Sequence, residues 1–399
     1  MNYSISLRFA FALLASFAAN CFAADGGPTM TISGFGTVAL TSTDTDDAEF
    51  IRPNQAAGVR KSPRAGPDTN LGLQATAKFN NSWSATAQGL VRKNATDKFG
   101  AELALAFVKF KLNDDFSFRA GRLATPIYMI SDFRNVGYAN TMIRPPSEVY
   151  RQVANNSFDG ADVVYTHGFG DTTLTVQFGA GNATTESPGS SKVVFKPLTS
   201  LHVVAENGPF TLRFGRADAT FTVYENAPLN GLLAALRGVG LTQVAEDFKV
   251  TDVRGSFTSI GGTLDYKNFL VQTEYAVRKT ESRAIMDTTS YYAMFGYRFG
   301  KVTPYYYYGN IKQDDPRTYA GLPTTGPLAG LAAAVNSVAK SALQSTNAIG
   351  VRWDFHKSAA LKVQVDHVSP RDGNGAFINA KPAFKGPVNV YAVGIDFVF

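Results

Sequence analysis

Read in steps of two, the stretch from position 391 places Tyr391, Val393, Ile395, Phe397 and Phe399 on one side. Ala392, Gly394, Asp396 and Val398 fall on the other. Successive side chains leave a strand on opposite faces, so this period of two predicts a strand with one large apolar face and one small or charged face. Two settings produce such a strand: a sandwich of sheets that half-buries it, or a wall whose apolar face meets lipid.

The same alternation predicts sixteen strands of about ten residues each. The first eight are expected over Thr29–Thr41, Leu71–Phe79, Trp83–Arg92, Ala104–Leu112, Phe116–Leu123, Ala161–Thr166, Thr172–Gly179 and Leu201–Glu206. The second eight are expected over Phe210–Ala217, Ser256–Tyr266, Phe269–Val277, Ser290–Phe299, Val302–Lys312, Thr346–Phe355, Leu361–Val368 and Val388–Phe399. Short gaps with tight-turn chemistry, such as Asn80-Asn81, Asn207-Gly208, Lys267-Asn268 and Gly300-Lys301, alternate with longer ones. The longer gaps are 42–68, 93–100, 124–157, 182–197, 222–252, 280–288, 314–344 and 370–386. A soluble sandwich has no reason to sort its loops by parity. A transmembrane antiparallel β-barrel does, with short periplasmic turns on one rim and long extracellular loops on the other.

Backbone groups exposed to hydrocarbon cost several kcal/mol each, so the sheet must close, strand one against strand sixteen. The apolar face of the final strand then lies in the bilayer wall, with Phe399 at the inner-rim aromatic belt. Tyr391, Val393, Ile395, Phe397 and Phe399 are accordingly expected to act in assembly. Two loop segments, 228–239 and 327–338, carry leucine and valine at helical spacing and predict short helices packed on the barrel mouth.

Composition narrows the class further. Residues 1–24 combine Arg8, the apolar run Phe9–Ala19 and small residues at Ala23 and Ala24, the pattern of a cleaved signal peptide; the single domain is then 25–399. The only cysteine, Cys21, lies in that segment, which excludes a thiolate nucleophile or an internal disulfide from the remainder. The net charge of +6 is a mild excess without a clustered basic run, so nucleic acid is not an expected partner. No other segment is apolar for long enough to form a membrane helix.

Taken in order, the signal segment, ISGFGTVALT, FVKFKLNDDFSFRAGRLATP and the final YAVGIDFVF resemble the Gram-negative outer-membrane porin superfamily, and general diffusion porins in particular. The resemblance covers nearly the whole chain after residue 24. It implies a sixteen-stranded, water-filled channel, usually trimeric, in the outer membrane. The implied partners are membrane lipid and lipopolysaccharide, the barrel-assembly machinery, two further copies of the chain, and small hydrophilic solutes and ions. It also implies that loop 124–157 folds inward as a constriction, entered through Arg119, Gly121 and Arg122 and bearing Asp132, Arg134, Arg144, Glu148 and Arg151. Arginine outnumbers acid there, which points to anion preference where such loops usually favour cations.

Strand parity assigns the remaining charges. With the bulky apolar face outward, Lys78, Arg92, Lys109, Lys111 and Arg119 face the lumen, as do Arg213, Arg278, Arg298, Arg352 and Lys362. Five carboxylates join them: Asp162, Asp265, Glu274, Asp354 and Asp366. A basic wall is expected, with Arg92, Arg119 and Arg213 nearest the constriction. The outward side of the first three strands is small at Gly34, Gly36, Ala75, Ala77, Ala85, Ala87 and Gly89, which predicts the subunit contact. The four histidines form no HExxH zinc motif, and no cofactor is expected.

The function expected is passive diffusion of small hydrophilic solutes. A substrate-selective channel for phosphate or organic anions is the alternative within transport. A barrel hydrolase is the alternative of another class, and it requires a Ser-His or Asp-His pair brought together across strands.

Overall fold

The computed structural model describes residues 27–153, 155–340, 343–371 and 373–399; the segment 1–24 read as a signal peptide lies outside the described residues. The first eight strands are β1 (Thr29–Thr43), β2 (Asn70–Lys78), β3 (Trp83–Lys93), β4 (Phe99–Lys111), β5 (Phe116–Ala124), β6 (Ser157–Phe169), β7 (Thr172–Glu186) and β8 (Lys192–Asn207). The second eight are β9 (Phe210–Tyr224), β10 (Val253–Tyr266), β11 (Phe269–Thr280), β12 (Thr288–Tyr297), β13 (Val302–Gln313), β14 (Gln344–His356), β15 (Ala359–Pro370) and β16 (Val388–Val398). Each pairs antiparallel with its neighbours in sequence, and β1 pairs with β16, which closes the barrel.

Alternation sets the two faces. Leu212, Ile260, Phe295 and Ile349 point outward and are each more than half exposed. A sheet that left such residues in water would be an aggregation hazard, whereas a lipid-facing wall requires them. Closure is local and specific. The Gly34 amide donates to the Phe399 carbonyl at 2.8 Å, and the Phe399 amide donates to the Gly34 carbonyl at 3.0 Å. The ring of Phe397 lies over Gly36, its register partner, so close that a Cβ there would fall 2.5 Å from the ring. Phe399 covers Gly34 in the same way. These two glycines are therefore filled by the chain's own aromatics, and the flat small-residue patch contracts to Ala75, Ala77, Ala85, Ala87 and Gly89.

Two of the expected long loops are shorter than the pattern predicts. β7 and β8 run on to Glu186 and Lys192, leaving only 187–191 between them, and β3 and β4 leave only 94–98. The upper part of that hairpin carries Glu186, Lys192, Lys196 and Pro197, so apolar alternation fades there while the hydrogen-bond ladder continues. The opposite happens beside it. The β4–β5 ladder ends at Ala106 and Arg122, so Phe99–Leu105 has no β5 partner and the wall is low at this point.

The loops are L1 (44–69), L3 (125–156), L5 (225–252), L6 (281–287), L7 (314–343) and L8 (371–387). Among the described residues L3 holds a 3-10 turn at Gly137–Ala139 and one short α-helical turn, α1 (Ser147–Tyr150); L5 holds α2 (Ala227–Gly238) and α3 (Thr242–Asp247), and L7 holds α4 (Ala329–Val338). Leu233 and Leu236 of α2, Val244 of α3, Val335 of α4 and Met286 of L6 form one apolar cluster. The two predicted loop helices thus pack on each other, with L6 beneath. L1 and L8 form a second cluster through Phe50, Val59 and Phe377 against Val388 and Val390 of β16. No helix among the described residues is long and apolar enough to cross a membrane.

Candidate functional site: a loop pinned across the barrel lumen

L3 turns inward and lies against the inner wall. Ile127, Tyr128, Met129 and Tyr150 pack on Phe257 of β10, Ala276 of β11, Tyr292 and Met294 of β12 and Tyr305 of β13. Burial of that apolar side fixes which half of the lumen the loop fills.

Wall charges then hold the loop's backbone. Lys362 of β15 donates to the carbonyls of Gly137 (2.8 Å), Asn140 (2.5 Å) and Met142 (3.1 Å), and pairs with Asp396 at 2.7 Å. Arg352 donates to the carbonyls of Tyr138 and Asn140 at 2.7 and 2.9 Å. Arg213 donates to the carbonyls of Met129 and Tyr128, and Arg278 to that of Gln152. Glu274 accepts the Met129 amide at 3.0 Å and the Tyr150 hydroxyl at 2.8 Å. At Gly137 a Cβ would sit 2.1 Å from Asp396 Oδ1, so only glycine lets the loop lie this close to β16.

Side chains of L3 complete the anchoring. Arg144 bridges Asp68 of L1 (2.7 Å) and Asp366 of β15 (2.5 Å), tying three elements together. Glu148 is fully buried and accepts from Gln344 (2.6 Å) and Thr346 (2.5 Å) of β14, while its Oε2 has no partner. Burial holds its carboxyl above the ordinary range of a glutamate, against those hydrogen bonds. Arg144 and Glu148, expected at a constriction, are therefore clamps.

The candidates divide by position. Arg92 of β3, Arg134 of L3 and Asp132 of L3 line one open cavity of about 500 Å³, with Glu102 of β4 and Glu186 of β7 on the wall side. Arg92 pairs with Glu102 at 2.8 Å. Arg134 makes no hydrogen bond among the described contacts and lies 5.8 Å from the Tyr128 ring centre. Arg213 joins Asp132 at 3.2 Å. Arg119 stands apart, neutralised by a two-point bridge to Asp162 at 2.9 and 2.5 Å.

Arg122 borders the same cavity, together with Asp159, from outward-parity strand positions. Register is unbroken along β5, so it shares the outward parity of Phe116, Phe118 and Ala120, and it bridges Asp159 on the outer surface at 2.7 Å. Its place in the loop-entry segment suggested the lumen, but parity is set by β4 and β6, not by the loop that follows. Arg151 lies on the far side of L3 from Arg134, beside Arg278 and Lys340.

One basic residue escapes sequence reasoning. Arg52 of L1 reaches inward to line a second cavity together with Arg92 and Arg134, and it lies 3.5 Å from Asp68. An arginine before a proline in a long polar loop carries no period that marks it as lumenal. The histidines form two side-chain pairs of the sought kind, His167 with Asp115 (3.1 Å) and His356 with Ser358 (3.0 Å), both partly exposed at turns. Neither reaches a third such group among the described contacts. No cluster of three metal-ligating side chains occurs among the described residues.

Solved structures place this architecture. The chain superposes on OmpF of Salmonella typhi, solved in complex with daunomycin, with a TM-score of 0.58 at 13% identity, covering 94% of this chain and 99% of that one. The fold is that of the outer-membrane porins. An anion-selective porin from Comamonas acidovorans matches with a TM-score of 0.54 at 13% identity, over 93% of this chain and 100% of that one. OmpT, an outer-membrane protein of Vibrio cholerae, gives 0.56 at 14% identity over 96% and 100%. No protein-family model matches the sequence, and no curated protein matches it.

Proposed function

We propose that the protein is a porin of the Gram-negative outer membrane that passes small hydrophilic solutes by diffusion, with a preference for anions and without a chemical step. The observation that supports this most directly is the placement of Arg52, Arg92 and Arg134 around cavities on one side of L3. Asp132, Glu102, Asp159 and Glu186 face the same space, so the preference is mild. At an effective dielectric of about 20 a unit charge ~4 Å away is worth on the order of 4 kcal/mol, against about 1 in bulk water, so the narrow part of the path dominates. The chain works as a trimer in this reading, with Ala75, Ala77, Ala85 and Ala87 and the low wall above Arg122 at the contact. An Arg-Asp pair on the outer face is costly against lipid and is accommodated between subunits. Reversal potentials across planar bilayers in a potassium chloride gradient test selectivity. Anion preference that fades with rising salt is expected, with Arg134→Glu reducing or reversing it. Clear cation preference in the unaltered protein refutes the assignment.

A further inference from the structure

The far side of L3 holds a compartment that a purely hydrophilic pore does not need. Its lower part is an apolar cavity of about 310 Å³ between L3 and strands β8–β11, lined by Phe195, Leu198, Phe221, Phe257 and Val153. These side chains point into the barrel, where general diffusion calls for polar ones. Phe195 and Phe221 meet with ring centres 5.9 Å apart. The upper part, about 270 Å³, is roofed by Ile285 and Met286 of L6 and carries Arg151, Arg278 and Lys340. Arg151, Gln152, Arg278 and Ile285 line both parts, so the apolar and basic ends adjoin.

No carboxylate lines either part. Glu148 and Asp287 act on Arg151 and Arg278 from farther off, and both are engaged elsewhere, Glu148 by Gln344 and Thr346 and Asp287 by Lys279. Arg151 has no side-chain hydrogen bond or ion pair among the described contacts, in a chain whose other arginines are mostly bridged. One lining donor is buried and unsatisfied, Arg278 Nε. Buried polar atoms in folded proteins are nearly always paired, so it marks where an acceptor belongs.

We infer that this compartment binds an amphipathic organic anion, a monocarboxylate with an aromatic or short branched apolar tail, and passes it along the β8–β11 side of the pore. The tail occupies the Phe195–Phe221–Phe257 cavity and the carboxylate accepts from Arg151 and Arg278. Small-molecule sites are commonly apolar cavities of ~300–1,000 Å³ with a few fixed polar groups, and this compartment has that form. The inference rests on the channel reading for transport but not for binding, which separates the two in experiment.

The test uses the purified full barrel and 3-phenylpropionate, with acetate and 3-phenylpropanol as probes lacking the tail or the charge. Calorimetry on the detergent-solubilised protein reads binding; current block in planar bilayers reads passage through the same space. Phenylpropionate is expected to bind and to block, each control about tenfold or more weakly. Arg151→Gln, which disturbs no described contact, and Phe221→Ser are each expected to weaken binding about tenfold. Conductance with no binding, or with acetate or the alcohol binding equally well, overturns the inference and leaves the channel intact. Binding without conductance overturns the channel reading and leaves a binding site. Affinity unchanged in both variants overturns the assigned location.

Discussion

Replacing Lys362 with methionine tests whether L3 is held by the wall or merely rests on it. The ammonium is buried, holds three loop carbonyls and pairs with Asp396, itself buried. Methionine keeps an unbranched side chain one atom shorter and removes every donor, which strands a carboxylate that also accepts from Thr37 at 2.5 Å. Removing one partner of a buried pair costs about 3–5 kcal/mol, or about two to four decades in an opening equilibrium. That loss falls on residues 137–142, because Arg144 and Glu148 still hold the later half of the loop and the barrel ladder is untouched. Hydrogen exchange of the Ala139 and Asn140 amides, which donate to Val136 and Gly137, reports the opening directly. Protection there should fall by at least two decades, with higher and noisier single-channel conductance. A folded variant with unchanged protection and current would refute the idea that this lysine sets the pore's width. Adding Asp396→Leu removes the stranded carboxylate, so it should restore part of the thermal stability and none of the loop's protection.

Three further outcomes follow from the geometry. Phe399→Asp places a charge where an apolar ring covers Gly34, and should lower the yield of folded, heat-modifiable barrel; a normal yield would count against closure through this residue. Ala87→Trp, in the flat outward patch, should convert a trimer on native gels to monomers without loss of folding, and a wild type that migrates as a monomer removes the premise. Glu148→Gln should raise the melting temperature at pH 8. Burial raises this carboxyl above its unfolded value, so ionisation costs folded-state stability above the raised value, and no difference should remain below about pH 4. An advantage for glutamine that persists in acid would point to packing instead.

Strand positions were legible because each crossing must present lipid on one side and the lumen on the other, and that constraint writes a period of two. Where the constraint lapses, the pattern does too. Strands β7 and β8 continue past the apolar belt into a segment bearing Glu186, Lys192 and Lys196, and there sequence reads as loop what backbone pairing makes strand. Inward parity was equally legible for Lys362, Arg352, Arg213 and Arg278, because a sheet without bulges at those positions preserves it. Arg122 is a related case: its outward side follows from its strand neighbours, whereas its place at the cavity follows from the low wall beside it.

What parity does not carry is the partner of an inward charge. Arg144 meets Asp366 across 222 positions, and Lys362 meets the Asn140 carbonyl across the same separation. Neither distance leaves a local trace. Counting inward cations therefore overstates the field a passing ion meets. Arg213, Arg278, Arg352 and Lys362 are bound to loop carbonyls, and Arg119 is cancelled by Asp162. The charges that act on solute are those left incompletely matched. Arg134 and Arg52 border the cavities on one side of L3, and Arg151 borders the compartment on the other. Selectivity should then track these three far more than the total. Neutralising Lys362 or Arg352 should alter conductance through the loop's position, whereas Arg134→Gln should shift the reversal potential at nearly constant conductance.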